Sequence, residues 1–218
     1  MLIEFRVYGN IRFLSHAETA RVFERACIRA GIDLRYSCGF NPRPKLSLPL
    51  PRSVGVESDN ELLCLSVDCA RLPQEPNLQS RIKAGLTGQI PQGLELLEVS
   101  IAGTKVSFQP GAATYIFTVR QEYLNEDLKR RIKHLLASES LDIQRRKGKK
   151  NSKFKNIDVR GFLKSIKLAG ADITVECQIS SAGSIRVDEL LELLELDAEK
   201  LAAPIRRTNI KWQQTVKN

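Results

Sequence analysis

The residues best suited to binding or catalysis include those of segment 36–49, which reads YSCGFNPRPKLSLP. It holds three prolines, a glycine, Asn41 and the cations Arg43 and Lys45. Proline fixes φ and has no backbone N–H, so this segment cannot lie inside a helix or a central strand. A loop with few conformations that presents a guanidinium and an ammonium group is suited to holding phosphate. The alternative is a loop that only connects two elements.

A second basic segment, RRKGKKNSKFK, covers residues 145–155 and contains Phe154 but no acid. Its seven cations are Arg145, Arg146, Lys147, Lys149, Lys150, Lys153 and Lys155. Cations at this density repel each other unless a polyanion neutralises them. The segment therefore predicts a nucleic-acid contact. A solvated hairpin loop is the simpler interpretation, and it is compatible with RNA binding.

His16 is the candidate for catalysis or for a specific hydrogen bond. Its imidazole could bond a phosphate or a base, or act as a general base, and Asn41 is a second candidate for specific hydrogen bonds. Alternatively, the His16 ring packs against the sheet. The cysteines lack CxxC spacing, and the chain has no P-loop, GxGxxG or nucleophile elbow. The sequence therefore predicts no metal site and no cofactor.

Composition indicates a soluble cytoplasmic protein with a polyanionic partner. The chain has 218 residues, and 34 Lys and Arg against 25 Asp and Glu give a formal charge of +9. Such an excess favours RNA as the partner. Five cysteines without a disulfide-type framework favour a reducing compartment. No apolar run is long enough for a membrane span, and the start is unlike a signal peptide.

The elements that position these residues follow from the apolar pattern. Ser15 and Glu18 form a capping box that starts a helix running to about Ala30, where Gly31 can end it. Strands are predicted at 2–8, 32–36, 61–68 and 93–102, and a second helix at 77–90. The order strand, helix, strand, strand, helix, strand is that of the ferredoxin-like split βαβ arrangement.

The second half repeats this order without clear sequence identity. A composition shift predicts a linker at 103–112. Strands are predicted at 113–120 and 141–146 and within 157–180 and 205–214, with helices at 125–138 and 187–196. We therefore expect an α+β protein of two ferredoxin-like units in tandem, with domains at 1–105 and 112–218.

Two stretches resemble a known family, the radical-SAM-linked proteins. RFLSHAETARVFERACIRAGI carries a FLSH start at 13–16, and GFNPRPK at 39–45 is followed by an apolar stretch to Glu57. The closing IRRTNIKW is similar to the family's Arg-Thr and Trp signature, at Arg207, Thr208 and Trp212. Ala17 and Glu18 stand where the family usually has Leu-Asp. The resemblance implies a domain of unknown function that is fused to, or encoded beside, a B12-binding-type radical SAM protein.

Together these observations predict an RNA-binding accessory module, without its own established reaction, that brings rRNA or tRNA to a radical SAM enzyme. Phosphates would be held by Arg43, Lys45 and the 145–155 segment. One alternative is a metal-independent endoribonuclease with His16 as general base and Arg43 or Lys45 stabilising the transition state. Another is a module that binds only protein through its basic surface.

Overall fold

The fold is described from a computed structural model, which covers residues 1–68, 72, 75–101, 106–146 and 154–216. The chain divides into two compact units. Unit 1 comprises residues 1–110 and 212–218, and unit 2 comprises residues 111–211. Each unit contains both helices and strands, so the predicted mixture of α and β structure is confirmed.

Unit 1 follows the predicted order of elements. They are β1 (Leu2–Val7), α1 (His16–Arg29), β2 (Leu46–Ser47), β3 (Glu57–Leu65), α2 (Leu78–Thr87) and β4 (Leu94–Ser100). The strands lie in the order β4-β1-β3-β2, and each neighbouring pair is antiparallel. Residues alternate between buried and half-buried along β1, because one face of the strand packs against the core.

Helix α1 begins and ends as its sequence predicts. Ser15 Oγ accepts the Glu18 N–H at 3.3 Å, and the Glu18 carboxylate accepts the Ser15 N–H at 2.8 Å. Gly31 follows the helix with φ of +69°, which a residue without Cβ adopts without strain. Phe23 faces the core, where its ring centroid lies 4.7 Å from that of Phe5. This packing holds the start of α1, and with it His16, against the sheet of unit 1.

The predicted strand at 32–36 is wrong. Only isolated bridges form there, from Leu34 to Val67 and from Tyr36 to Pro44, and β2 comes after the proline-rich loop instead. The reason is that the backbone groups of Arg35 bond within the loop and to Ser66, so they are not available for a regular ladder.

The remaining elements lie in unit 2, except that β5 begins before residue 111 and β10 continues beyond residue 211. They are β5 (Val106–Thr118), α3 (Glu126–Ala137), β6 (Asp142–Arg146), β7 (Phe154–Asp158), β8 (Leu163–Ala169), β9 (Asp172–Gln178), α4 (Val187–Leu194) and β10 (Arg206–Val216). β10 lies beside β5, which pairs antiparallel with β9, and β9 pairs antiparallel with β8. Strands β6 and β7 form a separate two-stranded antiparallel hairpin, which contains Arg145, Arg146, Phe154 and Lys155 of the predicted basic segment.

The linker predicted at 103–112 is wrong at residues 106–112. Residues 106–112 form the first half of β5 rather than an irregular connection. Val106 and Phe108 favour extended structure, and pairing along the strand overrides the Pro110-Gly111 signal that indicated a break. Residues 103–105 of the predicted linker lie outside the described part of the chain.

Each unit has its own buried apolar residues. In unit 2, α3 buries Leu128, Ile132 and Leu135, while Phe117 and Val175 are fully buried on the sheet. Within the described residues, no helix has both the length and the apolar character needed to cross a membrane.

Candidate nucleic-acid interface

The proline loop, residues 35–45 of unit 1, has a closed base. The Arg35 N–H donates to Ser66 O at 2.8 Å, and the Ser66 N–H donates to Lys45 O at 2.9 Å. The Lys45 N–H donates to Arg35 O at 2.7 Å. Both ends of the loop are therefore tied to each other and to the segment that follows β3.

A second set of hydrogen bonds closes the loop nearer its tip. The Ser37 N–H donates to Arg43 O at 2.8 Å, and the Arg43 N–H donates to Ser37 Oγ at 3.0 Å. Pro42 and Pro44 fix φ on either side of Arg43. Because hydrogen bonds and prolines both restrict the backbone, the loop has little conformational entropy left to lose on binding.

The predicted binding residues of this loop all face solvent. Asn41, Arg43 and Lys45 are exposed. Among the described residues, no acid lies within ion-pair distance of Arg43 or Lys45. Arg35 differs, because its Nη2 lies 3.3 Å from Asp68 Oδ1. The loop thus presents two exposed cations that no acid of the described chain balances.

Phe40 is a residue of this site that the sequence reasoning missed. Its side chain has a relative exposure of 102%, and the nearby Tyr36 is exposed to 44%. The sequence carries a signal for its exposure, because Phe40 stands between Gly39 and Asn41, two residue types that mark a turn. Gly39 has φ of +131°, and a Cβ there would meet no atom within 4 Å, so backbone conformation and not space favours glycine.

His16 lies at the start of α1 and is exposed, so its ring does not pack in the core. It lines a cavity of about 10 Å³, which is close to the space of one water molecule. The other lining residues are Phe5, Thr19, Leu48, Leu50, Arg52 and Glu61. Arg43 and Lys45 are not among them, so this cavity does not bring His16 together with the proposed phosphate ligands.

Arg52 is a second residue that sequence reasoning missed, and its role is structural. Its guanidinium donates to Arg12 O at 2.7 Å, Leu14 O at 3.1 Å and Val56 O at 2.6 Å. These bonds join the FLSH segment to the segment before β3. An arginine with this many carbonyl acceptors holds the backbone in place. A lone arginine in the apolar stretch that follows the proline loop does not by itself specify that role.

The predicted cations of the β6–β7 hairpin differ in exposure and in ion pairing. Arg145 Nε and Nη2 lie 2.6 and 2.8 Å from the two oxygens of Glu189, and Nη2 also donates to Ser184 O at 2.6 Å. The hydrogen bond to Glu189 raises the pKa of the Arg145 guanidinium. Arg145 was expected to hold phosphate, but its guanidinium is committed to a partly buried ion pair.

The remaining hairpin cations are exposed or lie outside the described residues. Arg146 is exposed, with its guanidinium carbon 5.7 Å from the centroid of the Phe154 ring, and Lys155 is exposed on β7. The other predicted ligands lie outside the described residues, namely Lys147, Lys149, Lys150 and Lys153. The described part of the chain also contains no group of three or more His, Cys, Asp or Glu side chains placed to hold a metal ion.

Comparison with known proteins identifies a family without identifying a reaction. No curated protein matches the sequence. The family model DUF2344, described as an uncharacterized protein conserved in bacteria, matches residues 1–188 and therefore covers His16, the proline loop and the hairpin. Because the match includes most of the 218 residues, the chain belongs to the DUF2344 family of uncharacterized proteins conserved in bacteria.

Proposed function

We propose that this protein is a cytoplasmic RNA-binding module that positions rRNA or tRNA for a radical SAM enzyme. The observation that carries the proposal is the proline loop: a hydrogen-bonded protrusion with two cations that no acid of the described chain neutralises. A guanidinium held in one place can form two parallel bonds to a phosphate, which a flexible ammonium group cannot do. The formal charge of +9 adds a long-range attraction to RNA.

The radical SAM partner is proposed from the resemblance of segments 13–16 and 39–57 to the radical-SAM-linked proteins. We also propose that each unit is ferredoxin-like. The strand orders β4-β1-β3-β2 and β10-β5-β9-β8 support this, since each corresponds to the split βαβ arrangement. In unit 2, the β6–β7 hairpin would then be an insertion between the first helix and the second strand.

The central test measures RNA affinity across a range of salt concentrations for wild type, Arg43→Ala and Arg43→Lys. We expect Arg43→Ala to weaken binding and to reduce the slope of log K against log salt by about 0.7 to 0.9. Arg43→Lys should recover the slope but only part of the affinity, because lysine lacks the planar fork.

Arg35→Gln is the matched control, since it removes a cation of the same loop that is already paired with Asp68. Its effect on the salt slope should be smaller than that of Arg43→Ala. If Arg43→Ala binds RNA normally but melts far lower than wild type, the loop is scaffold and the proposal is wrong.

The hairpin is tested separately by replacing Lys149, Lys150, Lys153 and Lys155 with Gln. RNA binding should weaken for all sequences about equally, because phosphate contacts carry no base information. An unchanged salt slope would mean that these lysines make no phosphate contacts, and the hairpin would then not be part of the RNA interface. A separate experiment uses this protein to capture the proposed radical SAM partner, with and without nuclease treatment. Capture that survives the nuclease indicates direct contact, and capture that is lost indicates bridging by RNA.

A second candidate function, endoribonuclease, is favoured by one observation. The exposed His16 lines the same cavity as Glu61, a buried carboxylate with a relative exposure of 4%. A histidine and a carboxylate are the usual pair for acid–base catalysis. Cleavage of RNA by wild type that is lost in His16→Ala, with RNA binding retained, would select the nuclease. Binding of the radical SAM partner without any RNA affinity would instead select the protein-only module.

A further inference from the structure

We propose that Phe40 is a stacking platform for an unpaired nucleobase, so that the proline loop selects single-stranded over duplex RNA. This inference rests on the RNA binding proposed above and adds the class of RNA that is bound. It starts from an unusual placement, because the ring of Phe40 is fully accessible while the loop beneath it is held by hydrogen bonds.

The Phe40 ring does not stabilise the fold by burial. An aromatic side chain normally stabilises a protein by removing its surface from water, and Phe40 with 102% relative exposure removes none. The hydrogen bonds at Ser37 and Arg43 close the loop below the tip, and Gly39 at φ +131° lets the chain turn there. The backbone that carries the exposed ring is therefore held in place by these bonds.

Residues close to Phe40 in the sequence can bind the phosphate and the base of a nucleotide. Arg43 follows it at a distance of three residues and can bond a phosphate, while the amide of Asn41 can donate to and accept from a base edge. A base with a free face can stack on the ring. In a duplex both faces of a base are covered by its neighbours, so the ring has nothing to stack on.

The charges near the tip favour RNA over a protein as the occupant. Segment 36–45 contains Arg43 and Lys45 and no acid. Neither cation lies within ion-pair distance of an acid of the described chain, so the loop that carries the ring has an unbalanced positive charge. A phosphate backbone supplies regular negative charge at the spacing of its bases, which explains an exposed ring and unpaired cations in the same loop.

The test compares a short single-stranded RNA with the same strand in a duplex, across a range of salt concentrations, for wild type, Phe40→Leu and Phe40→Trp. Phe40→Leu should weaken binding to the single strand by about tenfold and leave the salt slope unchanged, since stacking involves no counterion release. Binding to the duplex should hardly change. Phe40→Trp should keep or increase the affinity for the single strand.

Phe13→Leu is the control, because Phe13 is an exposed ring of the same unit whose face is already covered by the Arg12 guanidinium at 4.4 Å. It should bind both probes like wild type.

The inference fails alone if Phe40→Leu binds the single strand as wild type does while Arg43→Ala still weakens it. It also fails if both probes weaken equally. If wild type binds neither probe, both the inference and the proposed function fail. Loss of partner capture in Phe40→Leu with unchanged RNA affinity would assign the ring to a protein contact instead.

Discussion

Arg43 and Arg145 are both predicted phosphate ligands, but they lie in different surroundings. Arg43 is exposed at a loop whose backbone is closed around it. Arg145 has a side-chain exposure of 17% and shares two close contacts with Glu189, whose side chain is 8% exposed. The sequence assigns both residues the same role, whereas burial and pairing separate an exposed cation, which we propose as a phosphate ligand, from a structural one.

Breaking the Arg145–Glu189 pair should destabilise unit 2. In Glu189→Gln, a partly buried guanidinium loses its counter-charge, and we expect the free energy of unfolding to fall by about 3 kcal/mol. Denaturant unfolding measures this. Glu192→Gln on the exposed face of the same helix is the control and should stay within about 0.5 kcal/mol of wild type. A loss in Glu189→Gln no larger than that of the control would mean that the pair does not hold the hairpin.

Asp158 should give unit 2 a contribution to stability that depends on pH. The N–H groups of Leu141 and Arg160 donate to its carboxylate and hold its pKa below the usual 3.8. A depressed pKa means that the unfolded state binds the proton more readily. The contribution is therefore present above pH 3.8 and is lost as pH falls through the lower pKa of the folded state.

The measurement is denaturant unfolding of wild type and Asp158→Asn between neutral and acidic pH. Wild type should be more stable at neutral pH, and the difference should shrink below about pH 3.8. A difference that is constant across this range would show that the charge of Asp158 is not involved.

At the scale of elements, the two helices of unit 1 start in different ways. Helix α1 has a capping box formed by Ser15 and Glu18. Helix α2 follows Asn77, which has the right residue type for a cap but makes no side-chain bond to the helix. Residue type alone does not distinguish the two positions, whereas the observed backbone of Asn77, with ψ of 19°, leaves its side chain without a bond to the helix.

Replacing the two residues with alanine therefore tests the capping directly. Ser15→Ala should reduce the free energy of unfolding by about 1 kcal/mol, because the Glu18 N–H loses its acceptor. Asn77→Ala should change it by less than about 0.5 kcal/mol. Thermal and denaturant unfolding measure both, and equal losses would contradict the assigned geometry.

At the scale of the whole molecule, each unit contains a buried cysteine that reports on its core. Desolvation raises the pKa of Cys27 in unit 1 to about 11. It also raises the pKa of Cys177 in unit 2 to about 12, with a smaller effect from Glu176. Cys38, in contrast, is exposed in the proline loop. Since the thiolate is the reactive form, these three thiols should differ strongly in reactivity.

We expect a maleimide reagent at mildly alkaline pH to modify Cys38 quickly and to leave Cys27 and Cys177 unmodified until denaturant is added. Peptide mapping by mass spectrometry identifies each site. The denaturant concentration at which Cys27 and Cys177 become reactive then reports the opening of each unit. Modification of Cys177 in the native protein at the rate of Cys38 would contradict the burial of Cys177 in the core of unit 2.

Much of the secondary structure could be predicted from local signals. The capping box, the Gly31 stop and the amphipathic pattern of α3 and α4 depend on neighbouring residues, and the observed helices lie close to the predicted ones. The strand predicted at 32–36 is wrong, and so is the linker predicted at residues 106–112, because these outcomes depend on pairing with distant segments. Hydrogen bonds between strands are made by backbone groups that all residues share, so local sequence does not specify the partner.

The sequence by itself determined that the proline loop is irregular, exposed and cationic, since proline excludes regular structure and Arg43 and Lys45 carry charge. Only the tertiary structure decided that the loop is closed by Ser37 and Ser66 and that Phe40 is fully exposed. It also decided that the Arg145 guanidinium is held by Glu189, which lies 44 positions away in the sequence. Residue type specifies which groups can ionise or donate, but folding determines which partners they meet and how much water remains around them.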